Sequence, residues 1–154
     1  MLEKAAGIQL THVPYKGSNP AMMDALSGNV DLLVSSVPSA IGQIKAGKMR
    51  AIAVTSAARS TSLPETPTLA ESGLKGFNVS TWYGIFMPRN TPTPIVNKVN
   101  AEVNKLLAMP EVKEAILTQG AEPKAMSVQA FEQFFQTDFK ANKAIVEASG
   151  ASIQ

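Results

Sequence analysis

Three short apolar runs, each punctuated by proline or glycine and followed by a stretch with helical spacing, constrain this chain more than any other feature. Leu10 to Pro14 reads as a strand. Pro20 to Leu26 reads as a helix, with Asn19 as its N-cap, Pro20 at the first helical position and Gly28 just beyond its end. Val30 to Ser35 is near-continuously apolar, as strands buried in a parallel sheet are, and leads into a helix from Pro38 to Ala46 closed by Gly47. Arg50 to Thr55 begins the pattern again. Strand, helix, strand, helix, strand at these spacings predicts right-handed crossovers and a parallel sheet, so the fold class is α/β.

Residues 56 to 77 are rich in Ser, Thr, Pro and Gly and read as an irregular excursion with one helical turn near Leu69 to Ser72. Asn78 to Met87 alternates and carries aromatic and β-branched residues, which predicts a longer strand. Helices then take over. Thr91 caps and Pro92 starts a helix to Ala108 with Ile95, Val99, Val103 and Leu106 on one face. Pro110 opens a shorter helix to Gln119, and Ala121 to Lys124 reads as a brief strand. Ser127 caps a last long helix bearing Phe131, Phe135 and Phe139 at four-residue spacing.

Ligands of open α/β sheets settle at the carboxyl ends of strands, where helices begin and their unpaired N–H groups point outward. Two strand ends look prepared for this. One is Tyr15, Lys16, Gly17 and Ser18, with Asn19 behind them; the other is Ser35, Ser36, Pro38 and Ser39 around Val37. Each sets small polar side chains before a proline-primed helix whose positive dipole end suits an anion. Lys16 adds a full charge. The same composition also serves plain helix capping, and Lys16 also reads as a solvated surface residue, so both readings stand at this level. Trp82-Tyr83-Gly84 reads as strand core, with the alternative that its rings line a cleft between lobes.

Composition removes other classes of function. Fourteen Lys plus Arg against twelve Asp plus Glu leave a net charge of +2 without any basic run, so nucleic acid is not an expected partner. The absence of cysteine excludes disulfides, thiolate metal ligands and thiol nucleophiles, and suits either cytosol or periplasm. His12, the only histidine, falls mid-strand and reads as a hydrogen-bonded structural residue. No metal or cofactor is expected. Glu111 and Glu114 flank Lys113 on a solvated face, and with no G-x-S-x-G elbow a hydrolase built on Ser35 or Ser36 is a distant third reading. No stretch approaches the ~18 apolar residues of a membrane helix, and the first seven residues lack the apolar centre of a signal peptide.

Taken in order, V-P-Y-K-G-S-N-P-A-M-M-D-A-L-S-G-N-V-D-L-L, V-P-S-A-I-G-Q-I-K-A-G-K-M-R-A-I-A-V-T-S, L-P-E-T-P-T-L-A-E-S-G-L-K-G-F, W-Y-G-I-F-M-P and N-A-E-V-N-K-L-L resemble the Bug family. These are TctC-like extracytoplasmic solute receptors of tripartite tricarboxylate transporters. The resemblance implies a two-lobed fold of the type II periplasmic binding protein kind, closing on a small carboxylate without chemistry and passing it to membrane transporter subunits. It implies a periplasmic location, and it matches Tyr15, Lys16, Gly17 and Ser18 to one cleft loop and Ser35, Ser36, Pro38 and Ser39 to another. It also implies an aspartate where this chain has Ser35, which bears on the ligand groups tolerated.

The likeness covers only the carboxyl-terminal part of the longer family members. Residues 1–78 correspond to second-lobe α/β structure with the ligand loops, and residues 79–154 to a crossing strand and helices that belong with the first lobe. The expectation is therefore a receptor fragment or truncated receptor. Its apolar helix faces, worth roughly 1.5 to 3 kcal/mol per large side chain buried, should drive self-association. The competing expectation is a structural or interaction domain that has lost its ligand and self-associates through its carboxyl-terminal helices.

Overall fold

The computed structural model describes residues 1–149. Six helices appear among them: α1 (Leu2–Ala6), α2 (Ser18–Leu26), α3 (Val37–Lys45), α4 (Thr93–Ala108), α5 (Pro110–Thr118) and α6 (Val128–Ser149). Prolines stand at the first or second position of α3, α4 and α5, where the missing N–H costs nothing. Ser127 caps α6 as expected, its Oγ accepting the Ala130 N–H at 3.1 Å. Two other starts differ from expectation. Gly17, not Asn19, is the N-cap of α2, because φ of 115° there turns the chain into the helix before Pro20 is reached. Pro92, not Thr91, is the N-cap of α4, and the Thr91 hydroxyl instead donates to Pro88 O at 2.8 Å.

The strand expectations need a larger correction. Among the described residues the one bridge is parallel and joins Val54 to Thr68. Val54 N–H donates to Pro67 O at 2.9 Å, and Leu69 N–H donates to Val54 O at 2.9 Å. On the other edge Thr55 O accepts the Val79 N–H at 2.8 Å, so segment 54–55 lies between 67–69 and 79. Residues 10–14, 30–35, 78–87 and 121–124 form no bridge. Parallel sheets persist where both faces are covered, and here one face is open: Val34 is 73% exposed and Ile52 64%. The α/β order of the elements stands, while pairing is confined to the segments around residue 54.

That segment is also where the core sits. Val54 is buried with Ala21 and Met22 of α2 and Ile41 of α3, and α2 packs against α3. Thr68 is 1% exposed and builds the expected helical turn as a capping box. Its Oγ1 accepts the Glu71 N–H at 3.0 Å, while Glu71 Oε2 accepts the Thr68 N–H at 2.7 Å. That bond, then Arg59 Nε at 2.9 Å, lowers the Glu71 pKa.

The second half packs around Trp82. Trp82 and Phe86 meet Phe131 and Phe135 of α6, and Trp82 also meets Phe134, with ring centroids 5.4 to 6.1 Å apart across Trp82–Phe134, Trp82–Phe131 and Trp82–Phe135. Trp82 Nε1 donates to Asp138 Oδ2 at 2.9 Å. Between the rings, a Cβ on Gly84 would stand 2.6 Å from Phe131 Cζ, which explains the glycine. Residues 82, 84 and 86 thus share one side, the period of an extended chain, and Tyr83 on the other is 72% exposed. Phe139, expected on the same stripe, is largely exposed and touches only Phe135 among the rings. The inward face of α4 is likewise Val96, Val99, Val103 and Leu107, whereas Ile95 and Leu106 are exposed. Asn100 and Asn104 each donate to Met126 O, at 3.0 and 2.9 Å, seating the segment before α6.

The two halves of the chain meet at the end of α5. Thr61 donates through N–H and Oγ1 to Glu122 Oε1, both at 3.1 Å, and Ser62 Oγ donates to Leu117 O at 2.8 Å. Between the halves lies a hollow of about 1930 Å³ walled by α3, α4, α6 and segments 30–36, 50–60 and 78–89. The chain exposes 11679 Å², against about 7500 Å² for a compact monomer of this mass.

Candidate functional site

Both helix starts singled out in the sequence are uncapped. No side chain closes the first turn of α2 or α3. The leading N–H groups of each helix therefore remain for water or a ligand, and the helix dipole makes an anion the favoured one. Their surroundings then diverge.

At the start of α2, Tyr15 is half-buried and its hydroxyl donates to Asp24 Oδ2 at 2.7 Å. Asn29 Nδ2 donates to Asp24 Oδ1 at 3.2 Å, so both carboxylate oxygens are engaged. The Tyr15 bond, then Asn29, lowers the Asp24 pKa; the same bond to Asp24 raises that of Tyr15. The phenol spends its single proton inside the protein, and Tyr15 acts as a strut holding this loop against α2. Lys16, Gly17 and Ser18 are exposed, and none of the four lines the hollow.

At the start of α3, Ser35, Ser36 and Pro38 stand on the wall of the hollow, and Ser39 lies one residue behind Pro38, off the wall. The Ser36 and Ser39 hydroxyls are 2.9 Å apart. One proton bridges the pair, leaving the other free to donate outward. Ser39 N–H and Ala40 N–H both turn to Ser36 O, at 3.1 and 3.3 Å, and Pro38 has none. The donors without a hydrogen bond are then the Ser35, Ser36 and Val37 amides plus one hydroxyl. Lys48, Arg50, Arg89 and Lys124 line the hollow against Asp31, Glu122 and Glu132, while Arg59 is neutralised by Glu71 at 2.9 Å. This near balance leaves the helix start, rather than a ring of cations, as the source of anion preference. The structure thus brings Ser35, Ser36, Pro38 and Ser39 together and keeps Tyr15, Lys16, Gly17 and Ser18 as a separate loop.

Trp82 packs its ring on α6 and, like Tyr83 beside it, also lines the hollow, so it serves both the core and the cleft-lining readings. His12 is exposed, and the described residues hold no cluster of three or more His, Cys, Asp or Glu able to ligate a metal. No described helix is long and apolar enough to cross a membrane. Sequence reasoning missed Asp24 and Asn29. Nothing in a Tyr followed nine positions later by an Asp marks a bond, which becomes visible only when α2 folds back along its own loop.

The family model described as tripartite tricarboxylate transporter family receptor matches residues 1–151. The chain belongs to this family. A UPF0065 protein from the tcbD-tcbE intergenic region of Pseudomonas sp. (strain P51) is 42% identical over 149 residues, 96% of this chain and 44% of that protein. An R. palustris protein solved with adipate superposes with a TM-score of 0.90 at 32% identity, covering 97% of this chain and 50% of that one. The periplasmic binding protein BugD superposes with a TM-score of 0.85 at 35% identity, covering 99% and 52%. The chain is thus similar to receptors of the periplasmic binding protein fold, and it spans about half the length of the relatives it matches. The α/β fold class inferred from strand and helix alternation agrees with these superpositions.

Proposed function

We propose that this tripartite tricarboxylate transporter family chain carries one jaw of a periplasmic carboxylate receptor, binding its ligand at the start of α3 without catalysis. Residues 1–78 are the second-lobe region with the ligand loops and residues 79–154 the crossing segment and helices that belong with the first lobe; transporter subunits receive the ligand. One observation carries the reading: an uncapped helix start with three amides free of hydrogen bonds and a spare serine hydroxyl lies on the wall of a large hollow. The structural neighbour solved with adipate supplies the ligand class. Isothermal titration of the purified chain with adipate and malate, with chemical-shift mapping of the Ser35, Ser36 and Val37 amides, tests it. Saturable binding that moves those amides supports the reading; binding that leaves them unmoved, or no binding of any dicarboxylate, sinks it.

A second reading concerns assembly. The hollow is about twice the 1,000 Å³ upper end of small-ligand clefts, and the surface surplus of one chain is larger than the roughly 1,000–2,500 Å² that each partner of an obligate dimer buries. Both favour self-association through the open face formed by α4, α6 and the crossing segment. Sedimentation at micromolar concentration checks this, and a clean monomer overturns it.

A further inference from the structure

Just beyond the end of α5, Gly120 lies against the first turn of α3. Gly120 is buried at φ 82°, its N–H donating to Leu117 O at 2.9 Å and the following Ala121 N–H to Ile116 O at 3.2 Å, which closes α5 as a Schellman turn. A Cβ built there would lie 2.9 Å from Val37 Cγ1 and 3.4 Å from both Ile41 Cβ and Pro38 N. Gly47, at the other end of α3, has φ 69° and nothing within 4 Å. Left-handed backbone alone accounts for Gly47. At Gly120 the missing side chain is also the space into which α3 is set.

The far side of this contact is anchored. Ser62 Oγ holds Leu117 O, and Glu122, two residues past the glycine, receives both donors of Thr61. The α5 end is therefore fixed against loop 60–62 and presents Gly120 as a stop for Val37, Pro38 and Ile41. Val37 and Pro38 lie between Ser36 and Ser39 in the chain, and the Val37 amide is one of those free of hydrogen bonds.

We infer that Gly120 is a positioning residue for the carboxylate site, setting where the first turn of α3 stands relative to its ligand without touching that ligand. This rests on the reading of the α3 start as the site. Donors aimed at a carboxylate need placement within roughly 0.5 Å, and a methyl group at Gly120, 2.9 Å from Val37 Cγ1, requires something in this contact to shift.

The test compares three variants of the full chain with the wild type by adipate titration, thermal melting and amide shifts. Gly120→Ala weakens adipate binding roughly tenfold or more and moves the ligand-free Ser36 and Val37 amide signals, whereas Gly47→Ala, carrying the same left-handed cost, changes affinity less than about twofold. Adding Val37→Ala to Gly120→Ala removes the closest contact and restores most of the lost affinity. Should Gly120→Ala fail to fold, Val37→Ile crowds the same contact from the α3 side without straining residue 120 and weakens adipate in its place. Wild-type binding with Gly120→Ala and Val37→Ile both unimpaired overturns the positioning role and leaves the site intact. A wild type that ignores every dicarboxylate removes the site itself, and this role with it.

Discussion

The starts of α2 and α3 have nearly the same composition and opposite fates. Each follows an apolar run, each is rich in small polar residues, and neither is capped by a side chain. At α2 the prominent polar side chain turns inward, Tyr15 onto Asp24, and the loop lies exposed away from the hollow. At α3 the polar side chains pair with each other, leaving a hydroxyl proton and three amides at the hollow wall, while Gly120, which also lines the hollow, lies against the first turn. On the proposed function, a helix start becomes a site through what its side chains do not bond to and through what holds it in place.

The largest expected effect separates the two helices through their buried residues. Ile41→Ala on α3 and Met22→Ala on α2 each lower the unfolding free energy by about 2–5 kcal/mol, measured by chemical denaturation. Only Ile41→Ala also lowers adipate affinity in the protein that remains folded, because Ile41 seats the first turn of α3 against Gly120. Equal affinity losses from both would erase the distinction.

Next comes the site itself. Replacing Ser36 and Ser39 together by alanine weakens adipate roughly 10–100-fold in calorimetry, since a hydrogen bond to a charged group contributes about 1.5–3 kcal/mol. Ser18→Ala leaves it within about twofold, so a matching loss there would place the ligand at α2 instead.

The strut at α2 predicts a pH dependence of stability rather than of binding. Asp24 has its pKa lowered below the ordinary 3.8, so its contribution is present above that value and lost as pH falls through the folded-state value. Tyr15 has its pKa raised above the ordinary 10.0, so its contribution is present below 10.0 and lost as pH rises through the folded-state value. Between these limits Tyr15→Phe melts below the wild type, and the two melting curves converge toward both extremes. A constant gap at every pH would mean that the hydroxyl's contribution is not linked to the charge on Asp24. The smallest effect belongs to Lys16→Ala: stability changes by less than about 0.5 kcal/mol and affinity by less than about twofold, as for an exposed side chain remote from the hollow. A tenfold loss would return Lys16 to the site.

Much of this was legible from local chemistry. Pro38, Pro110 and Ser127 announced helix starts within a residue, because N1 prolines and N-cap serines act within one turn. The ordered motifs announced the family. What stayed hidden depends on remote neighbours. The sequence marks Ile95 and Leu106 for burial as readily as Val96 and Leu107, since a stripe's exact facing depends on which element lies opposite. It marks residues 10–14 and 30–35 as strands, yet backbone pairs only where another segment lies within hydrogen-bonding reach, as 67–69 does beside Val54.

By itself the sequence determined where helices begin, which runs are apolar, and that two helix starts offer donors to an anion. These follow from torsions, caps and dipoles that act over a few residues. Tertiary structure alone decided that Tyr15 would spend its proton on Asp24, that the α3 start would stand at the hollow, and that Gly120 would come to rest against it. Those outcomes require elements from distant parts of the chain to meet in space, and no short stretch of residues carries that information.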